Sequence, residues 1–292
     1  MNRRNVEINP LVEQFSSYLL RIDDYLGREL DLYSWSEFYS PLRYASEGGK
    51  RIRPLILVLA AETVFKEEDK NQNTDEDEKV LLGSSAIELL HTESVIHDDI
   101  IDEENIRRGK PSFHVKYGYN SSILTADFVL GIILNICSKI DNPGVSAELS
   151  KAATKMSEGE MMEIRLAKDP LLKEDDYIKV IEYKTASLFE AASKIGAILG
   201  GGSPSDIQAM GSFGNLLGIA YQIHDDLLDW NNEERLFNIL VRNNKQSSEF
   251  VDRMEQLYLS YSSKAKNELR KVVDSVSKKH LEHLTDLTFS QF

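Results

Sequence analysis

Two aspartate clusters stand out by residue type and spacing. Asp98, Asp99 and Asp102 form DDIID, and Asp225, Asp226 and Asp229 form DDLLD. Each closes a mostly apolar run, and each follows directly on a histidine, His97 or His224. Aspartate is a mediocre helix former, so three of them in an apolar helical pattern need a reason. At about 100° per residue, positions i, i+1 and i+4 span an arc of roughly 100°, and the i and i+4 carboxylates sit about 6 Å apart along the axis. Carboxylates so placed repel one another, more strongly where partly buried. Mg²⁺ offsets that repulsion, and a diphosphate completes its octahedral shell. One cluster alone reads equally well as a charged surface; two near-identical clusters favour a paired metal site. His97 and His224 read as packed or hydrogen-bonded side chains, since Mg²⁺ prefers oxygen.

A site for Mg²⁺ and diphosphate needs local cations. GGKRIRP (48–54) supplies Lys50, Arg51 and Arg53 on a glycine-rich entry to a helix, where backbone amides can also face phosphate oxygens. RRGKP (107–111) places Arg107 and Arg108 just after the first acid cluster, and Lys184 and Thr185 interrupt the apolar run EYKTASLF. Arginine forks suit phosphate oxygens, and lysine serves as a point charge. Each segment alone reads as helix-end charge; together with two acid clusters they point to diphosphate. On a helical wheel with Asp98 at zero, His91 falls at about 20°, Ser94 at about −40° and Asp102 at about 40°. Gln222 lies at about 60° from Asp225, with Gly218 at about 20° and Gly214 at about −20°. Those two glycines either open a cleft on that face or admit a closely packed helix.

The elements that must position these residues are helices, because helix-period patterns run from end to end. A first helix starts near Asn9-Pro10 and carries Leu11, Phe15, Leu19, Ile22 and Leu26 at spacings of three and four. A polar break at SEGGK (46–50) precedes a long apolar helix from Pro54. KEEDKNQNTDEDEK (66–79) reads as an acidic, structureless surface loop. Helices resume at Val80, break at 107–111 and run again from about Ser121, while DNPG (141–144) and GGSPSD (201–206) are turn-plus-cap punctuation. Met161 and Met162 read as helix core. No strand alternation and no repeat is evident, so the expectation is one all-α domain over residues 1–292.

Composition sets the bounds. The 292 residues are 41% hydrophobic and 28% charged, enough apolar content for a sizeable core and too much for general disorder. Glycine and proline number 16 and 7, few for a turn-rich all-β chain. A net charge of −14 argues against a generic nucleic-acid binder. No uncharged apolar stretch of about 18 residues is evident, Leu55 to Ala61 being cut by Glu62, so no transmembrane segment is expected. The polar start MNRRNVEINP and the single cysteine, Cys137, make the cytoplasm the expected compartment.

With these blocks in hand, the chain resembles the trans-isoprenyl diphosphate synthases, the polyprenyl synthetase family, with geranylgeranyl diphosphate synthases as the likeness within it. The resemblance rests on GGKRIRP, ELLHTESVIHDDIIDEENIRRGKPSFHVKYG, the Asp127 helix start in TADF, YKTASLF and YQIHDDLLD, in family order from residue 48 to 229. It implies an isoprenoid-synthase bundle with a central cavity, usually a homodimer, in which DDIID and DDLLD hold three Mg²⁺ on an allylic diphosphate. By motif position, Arg107, Lys184, Thr185 and Gln222 then contact the allylic diphosphate, and Lys50, Arg53, His91 and Arg108 hold isopentenyl diphosphate. The implied reaction is head-to-tail condensation by ionisation, attack and proton loss, with no side-chain base evident. The family's tunnel floor falls on Ser94, Leu90 and Ile87, with Glu93 at the fifth position upstream; Glu93 points about 140° from Asp98. Small Ser94 suggests a product beyond C15, with the C20 geranylgeranyl diphosphate as the expectation.

The chain departs from the pattern after Asp229, where WNNEERLFNILVRNNKQ replaces a longer glycine and lysine loop; Lys245 is the candidate substitute for its lysines. The C-terminal TDLTFSQF also lacks the basic tail of some relatives. Two alternatives remain. A non-catalytic or regulatory subunit of a heteromeric prenyl diphosphate synthase fits the missing loop but not the retention of six mutually repelling aspartates. A class I terpene cyclase fits the metal chemistry but has no need of Lys50, Arg53, His91 and Arg108.

Overall fold

The computed structural model describes residues 10–65, 74–228, 235–243 and 247–290. Asp229 and Lys245 lie outside the described residues. The first helix, α1 (Pro10–Asp31), buries Phe15, Leu19, Ile22 and Leu26 on one face, as the spacing requires; the side chain of Leu11 is not among those described. It bends at Phe15, whose φ and ψ of −106° and 16° leave the helical region and whose ring meets His280 edge-on at 5.7 Å. A short helix, α2 (Tyr39–Ser46), ends at the expected polar break. In α3 (Ile52–Val64), Leu55, Ile56, Leu57 and Leu59 are all buried. A helix apolar on every side belongs in a core.

The helix bearing the first aspartate cluster, α4 (Thr74–Ile101), begins at Thr74 and not at Val80. The acidic run 66–79 is therefore not wholly a loop. Asp75, Glu76 and Asp77 occupy the first turn of α4, where negative side chains complement the exposed amides of a helix start. After α4, β1 (Ile106–Arg107) and β2 (Lys110–Pro111) pair antiparallel, a ribbon the helical reading did not foresee. Arg108 and Gly109 make its turn with φ of 52° and 73°; tight hairpin loops demand such positive values.

The chain continues through α5 (Phe113–Tyr117), α6 (Tyr119–Ile140) and α7 (Pro143–Leu166). Asp127 lies inside α6 and not at its start. By length and composition α6 is apolar enough to cross a membrane, with a mean hydropathy of 1.8, although Asp127 and Lys139 leave it without an uncharged run of about 18 residues. It packs against α4, and 39% of its apolar window is buried. DNPG acts as read: Asn142 Oδ1 accepts from the Gly144 amide at 2.9 Å, with Pro143 in the first turn of α7.

The second half contains α8 (Glu174–Ile181), a π-helical turn at Glu182–Ala186, α9 (Ser187–Leu199) and α10 (Pro204–Leu228). Three more helices follow: α11 (Leu236–Asn243), α12 (Ser247–Leu269) and α13 (Val276–Ser290). The main core joins α3, α4, α9 and α10 to the flanking helices, and a second apolar cluster lies among α8, α10, α11 and α12. Gly214 and Gly218 prove to be packing residues. A Cβ at Gly214 would lie 2.4 Å from Phe189 O, and one at Gly218 2.6 Å from Ala186 Cα. The described residues thus form an all-α fold, apart from the small ribbon.

Candidate active site

Both aspartate motifs sit at the C-terminal ends of their helices, α4 and α10. Negative charge there opposes the helix dipole. Burial adds to the cost. Loss of solvent, with Glu160 and Asp102 adding to it, pushes Asp98 up to about 7, although Lys184 and Arg107 pull the other way. Asp99 and Asp102 are also raised, desolvation being the largest cause in each. These are acids short of positive charge, and their oxygen donors suit a hard cation.

The second acid of each motif is tied to the protein. Asp99 is 2% exposed and pairs closely with Arg107 on β1. Asp226 is 5% exposed; its Oδ2 accepts from the Tyr177 hydroxyl at 2.8 Å and its Oδ1 from Gln222 Nε2 at 3.0 Å. Burial raises Asp226 to about 6, against the pull of Tyr177, Arg235 and Gln222. Gln222 Oε1 in turn accepts from Thr185 Oγ1 at 2.9 Å, so Thr185, Gln222 and Asp226 form one chain of bonds. The charge of Asp225 is felt by Lys50 and Arg53 as well as by Asp226. Among the described residues, no three acid, His or Cys side chains close on a single point.

Lys184 stands in the π-helical turn, an irregularity frequent at functional sites. Its ammonium contacts Glu160 and lies 2.7 Å from Glu163 Oε2, both on α7. Burial disfavours that ammonium, but Glu163, Asp98 and Glu160 outweigh it and hold its pKa above the ordinary lysine value. Gly159 makes this approach possible, since a Cβ there would lie 2.5 Å from the Lys184 amide nitrogen. Sequence reasoning missed Glu160, Glu163 and Tyr177. The signal for the glutamates was their i, i+3 spacing in SEGEMME, next to a glycine. Met161 is 64% exposed and not core, because the α7 face that meets Lys184 carries Gly159, Glu160 and Glu163.

The other cations gather around the glycine-rich turn and His91. The hairpin separates Arg107 from Arg108, and the Arg108 guanidinium lies 2.9 Å from where a Gly49 Cβ would stand. Arg53 lies over the Phe189 ring at 4.7 Å, with Nη1 at 3.4 Å from His91 Nε2, and its Nε is buried without a partner. Desolvation lowers the pKa of Lys50, Arg53 and Arg108. Burial and then the neighbouring arginines drive His91 well below its usual value, so it is a neutral imidazole at physiological pH. Arg51 is structural instead. From a backbone at φ 53° it binds Asp23 at 2.7 Å, Glu88 at 2.5 Å and the Ser46 carbonyl at 2.6 Å. The structure thus brings Lys50, Arg53, His91 and Arg108 within electrostatic reach of one another.

Of the tunnel-floor positions, Leu90 and Ile87 are buried in the main core. Ser94 is half-buried, and its hydroxyl donates to the His91 carbonyl of its own helix at 2.9 Å. Glu93 faces α6, where burial and then Asp127 raise its pKa while His97 lowers it.

Known proteins resemble this chain in sequence and in fold. The family described as polyprenyl synthetase covers residues 36–273. A geranylgeranyl diphosphate synthase of Methanosarcina mazei is 36% identical over 225 residues, 75% of this chain and 67% of its own length. A geranylfarnesyl diphosphate synthase of the same organism is 34% identical over 78% of this chain and 71% of its own length. An octaprenyl diphosphate synthase of Escherichia coli is 37% identical over 64% of this chain, yet the match spans only 55% of that relative. Among solved structures, a polyprenyl synthase from Caulobacter crescentus, complexed with calcium and isoprenyl diphosphate, shares the fold at a TM-score of 0.82, with 24% identity and 99% of both chains covered. A geranyltranstransferase from Methanosarcina mazei superposes at 0.75, with 28% identity over 91% of this chain and 94% of its own. With its two aspartate helices and two cation groups inside the matched span, the chain belongs to the polyprenyl synthetase family.

Proposed function

We propose that this chain is a Mg²⁺-dependent trans-prenyltransferase that condenses isopentenyl diphosphate head-to-tail with an allylic diphosphate. One observation carries the reading: Lys184 lies against Asp98 with Glu160 and Glu163, while Arg53 lies beside His91 and Arg108 beside Gly49 of the glycine-rich turn, so each end of the acid cluster has its own cations. Lys184 and Arg107 stand by the first motif, and Thr185 and Gln222 lead from the π-helical turn to Asp226 of the second, an arrangement suited to an allylic diphosphate held between the motifs. Lys50, Arg53, His91 and Arg108 form the second group, suited to the diphosphate of isopentenyl diphosphate. Neutral His91 can donate one hydrogen bond there without adding charge. A terpene cyclase has no use for that second group.

Three Mg²⁺ would be held by Asp98, Asp102 and Asp225 directly, with Asp99 and Asp226 orienting the two motifs from behind; Asp229 completes the second motif. When bound, the metal supplies charge stabilisation to the departing diphosphate. Lys184 and Arg107 add donors to the same anion as its negative charge grows. Ile87 and Leu90 would supply the apolar wall that excludes water while the allylic carbocation lives, with small Ser94 above them. Proton loss after attack falls to the released diphosphate, which the Lys184 group keeps beside the new bond. Ser94 leaves room for growth, and geranylgeranyl diphosphate is the proposed product.

Residues 1–292 act as one domain in this reading. A homodimer is supported by the exposed apolar stripe of α6, where Ile123, Leu130 and Leu134 face outward around an open Gly131. The protein is placed in the cytoplasm, in keeping with its single cysteine. The deciding assay offers Mg²⁺, isopentenyl diphosphate and C5, C10 or C15 allylic diphosphates, with products dephosphorylated and sized. Elongated alcohols support the synthase; cyclic hydrocarbons from the allylic substrate alone, or no product, refute it.

A further inference from the structure

We propose that Arg235 is a further diphosphate-binding residue, acting at the second aspartate motif; the assignment deepens the prenyltransferase reading and rests on it. Arg235 immediately precedes α11, and its carbonyl accepts from the amides of Asn238 at 3.0 Å and Ile239 at 3.1 Å. The helix behind it is firmly seated. Leu236, Phe237, Leu240 and Val241 are buried in the second apolar cluster, and the Phe237 ring lies 5.8 Å from Tyr177 and 5.7 Å from Phe250. The backbone of Arg235 is therefore fixed, while its side chain is 41% exposed.

That side chain reaches Asp226 Oδ1 at 3.5 Å, the long limit of a hydrogen bond. Its charge helps to hold Asp226 ionised, but the hydrogen bonds of Asp226 do not depend on it. Both carboxylate oxygens already have closer donors, Tyr177 at 2.8 Å and Gln222 at 3.0 Å. Lys184 differs, being gripped by two glutamates, and Arg107 differs by its close pairing with Asp99. Arg235 is thus a cation held loosely at the motif, with most of its five donors directed elsewhere than Asp226. A guanidinium so placed can turn from the carboxylate to an anion arriving beside Asp226, and its planar fork matches two phosphate oxygens. The ligand class is the diphosphate of the allylic substrate, since Arg235 contacts Asp226, which Gln222 and Thr185 of the proposed allylic set also reach.

The test titrates inorganic diphosphate with Mg²⁺ into the full-length wild type, Arg235→Gln and Arg235→Lys by calorimetry, alongside steady-state kinetics. Arg235→Gln is expected to weaken diphosphate binding and raise the allylic KM by about tenfold, the loss of one charge-assisted contact, with the isopentenyl KM within about twofold. Arg235→Lys, which keeps the charge, recovers most of the affinity. Unchanged diphosphate affinity in the glutamine variant overturns the assignment, as does an equal rise in both KM values or a lysine variant as weak as glutamine. Binding is read without turnover. A wild type that binds diphosphate but makes no elongated product sinks the prenyltransferase reading, while the Gln to wild-type affinity ratio still decides Arg235. A wild type that binds no diphosphate overturns both.

Discussion

The hydroxyl of Tyr177 lies 2.8 Å from Asp226 Oδ2, with both residues buried. This bond ties α8 to the second aspartate motif, and Arg107 ties the hairpin to Asp99 of the first in the same manner. In both motifs the protein fixes the second carboxylate. The first acid of the DDIID motif, Asp98, is raised to about 7 by burial.

Removing the Tyr177 hydroxyl tests that division. Tyr177→Phe leaves a buried carboxylate oxygen without its donor, a loss of about 1–3 kcal/mol of stability. It also removes a bond that lowers the Asp226 pKa. The expected result is a lower urea midpoint and a several-fold higher Mg²⁺ requirement in turnover. A variant with unchanged midpoint and Mg²⁺ dependence would show that the bond orients nothing.

The two cation groups should separate kinetically. Arg108→Ala is expected to raise the KM for isopentenyl diphosphate more than that for the allylic substrate. Lys184→Ala should do the reverse and also lower kcat, because its contact strengthens as the leaving diphosphate gains charge. Opposite biases would mean that the substrate assignments are exchanged.

Asp98 sets a pH dependence with a definite sign. Its pKa rises from the ordinary carboxylate value to about 7 in the fold, burial being the main cause. The folded chain keeps a proton that the unfolded chain releases near pH 4, so metal-free stability is full below about pH 4 and falls as pH rises toward 7. Asp226 adds a shift of the same sign up to about 6. Asp98→Asn should be more stable than wild type at pH 8 without metal, and near equal to it at pH 4. Urea midpoints that keep a constant gap at both pH values would contradict the assignment.

The sequence made the two aspartate helices and the cations Lys50, Arg53 and Arg108 legible, because acids ending apolar runs and cations on a glycine-rich turn are local patterns. It did not show which acids are tied down. Tyr177 and Arg235 reach Asp226 from separate helices, and only tertiary packing brings them there. Gly214 and Gly218 were ambiguous for the same reason, since a cleft and a tight helix crossing leave one sequence pattern. The start of α4 was misplaced because acids that cap a helix resemble a solvated loop when counted as charge. The apolar reach of α6 was missed because Asp127 interrupts it, yet that side chain is exposed beside Ile123 and Leu130.

That α6 stripe supports a prediction about assembly. Ile123, Leu130 and Leu134 are 52%, 44% and 62% exposed, and they lie on one face at helical spacing. Nothing in the fold of one chain covers them among the described residues. Replacing Leu130 and Leu134 together by glutamate should convert a dimer to a monomer, seen by light scattering after size exclusion. Helical content should stay unchanged. A wild type that is already monomeric, or a double variant that stays dimeric, would remove α6 from the interface.

Product length should respond to Ser94 and not to Glu93. Ser94 lies one turn before Asp98, and its hydroxyl is satisfied within its own helix, so no other element relies on it. Phenylalanine there adds a ring beneath the first motif, where a growing chain must pass, and should shorten the product. Glu93 points instead to α6 and the Asp127 side. Glu93→Gln should leave product length unchanged. It should slightly stabilise the protein near neutral pH, because an acid whose pKa is raised by burial is then replaced by a neutral amide. Sizing the dephosphorylated products of both variants against wild type decides the matter. A shorter product from Glu93→Gln, or an unchanged one from Ser94→Phe, would put the tunnel wall on the other face of α4.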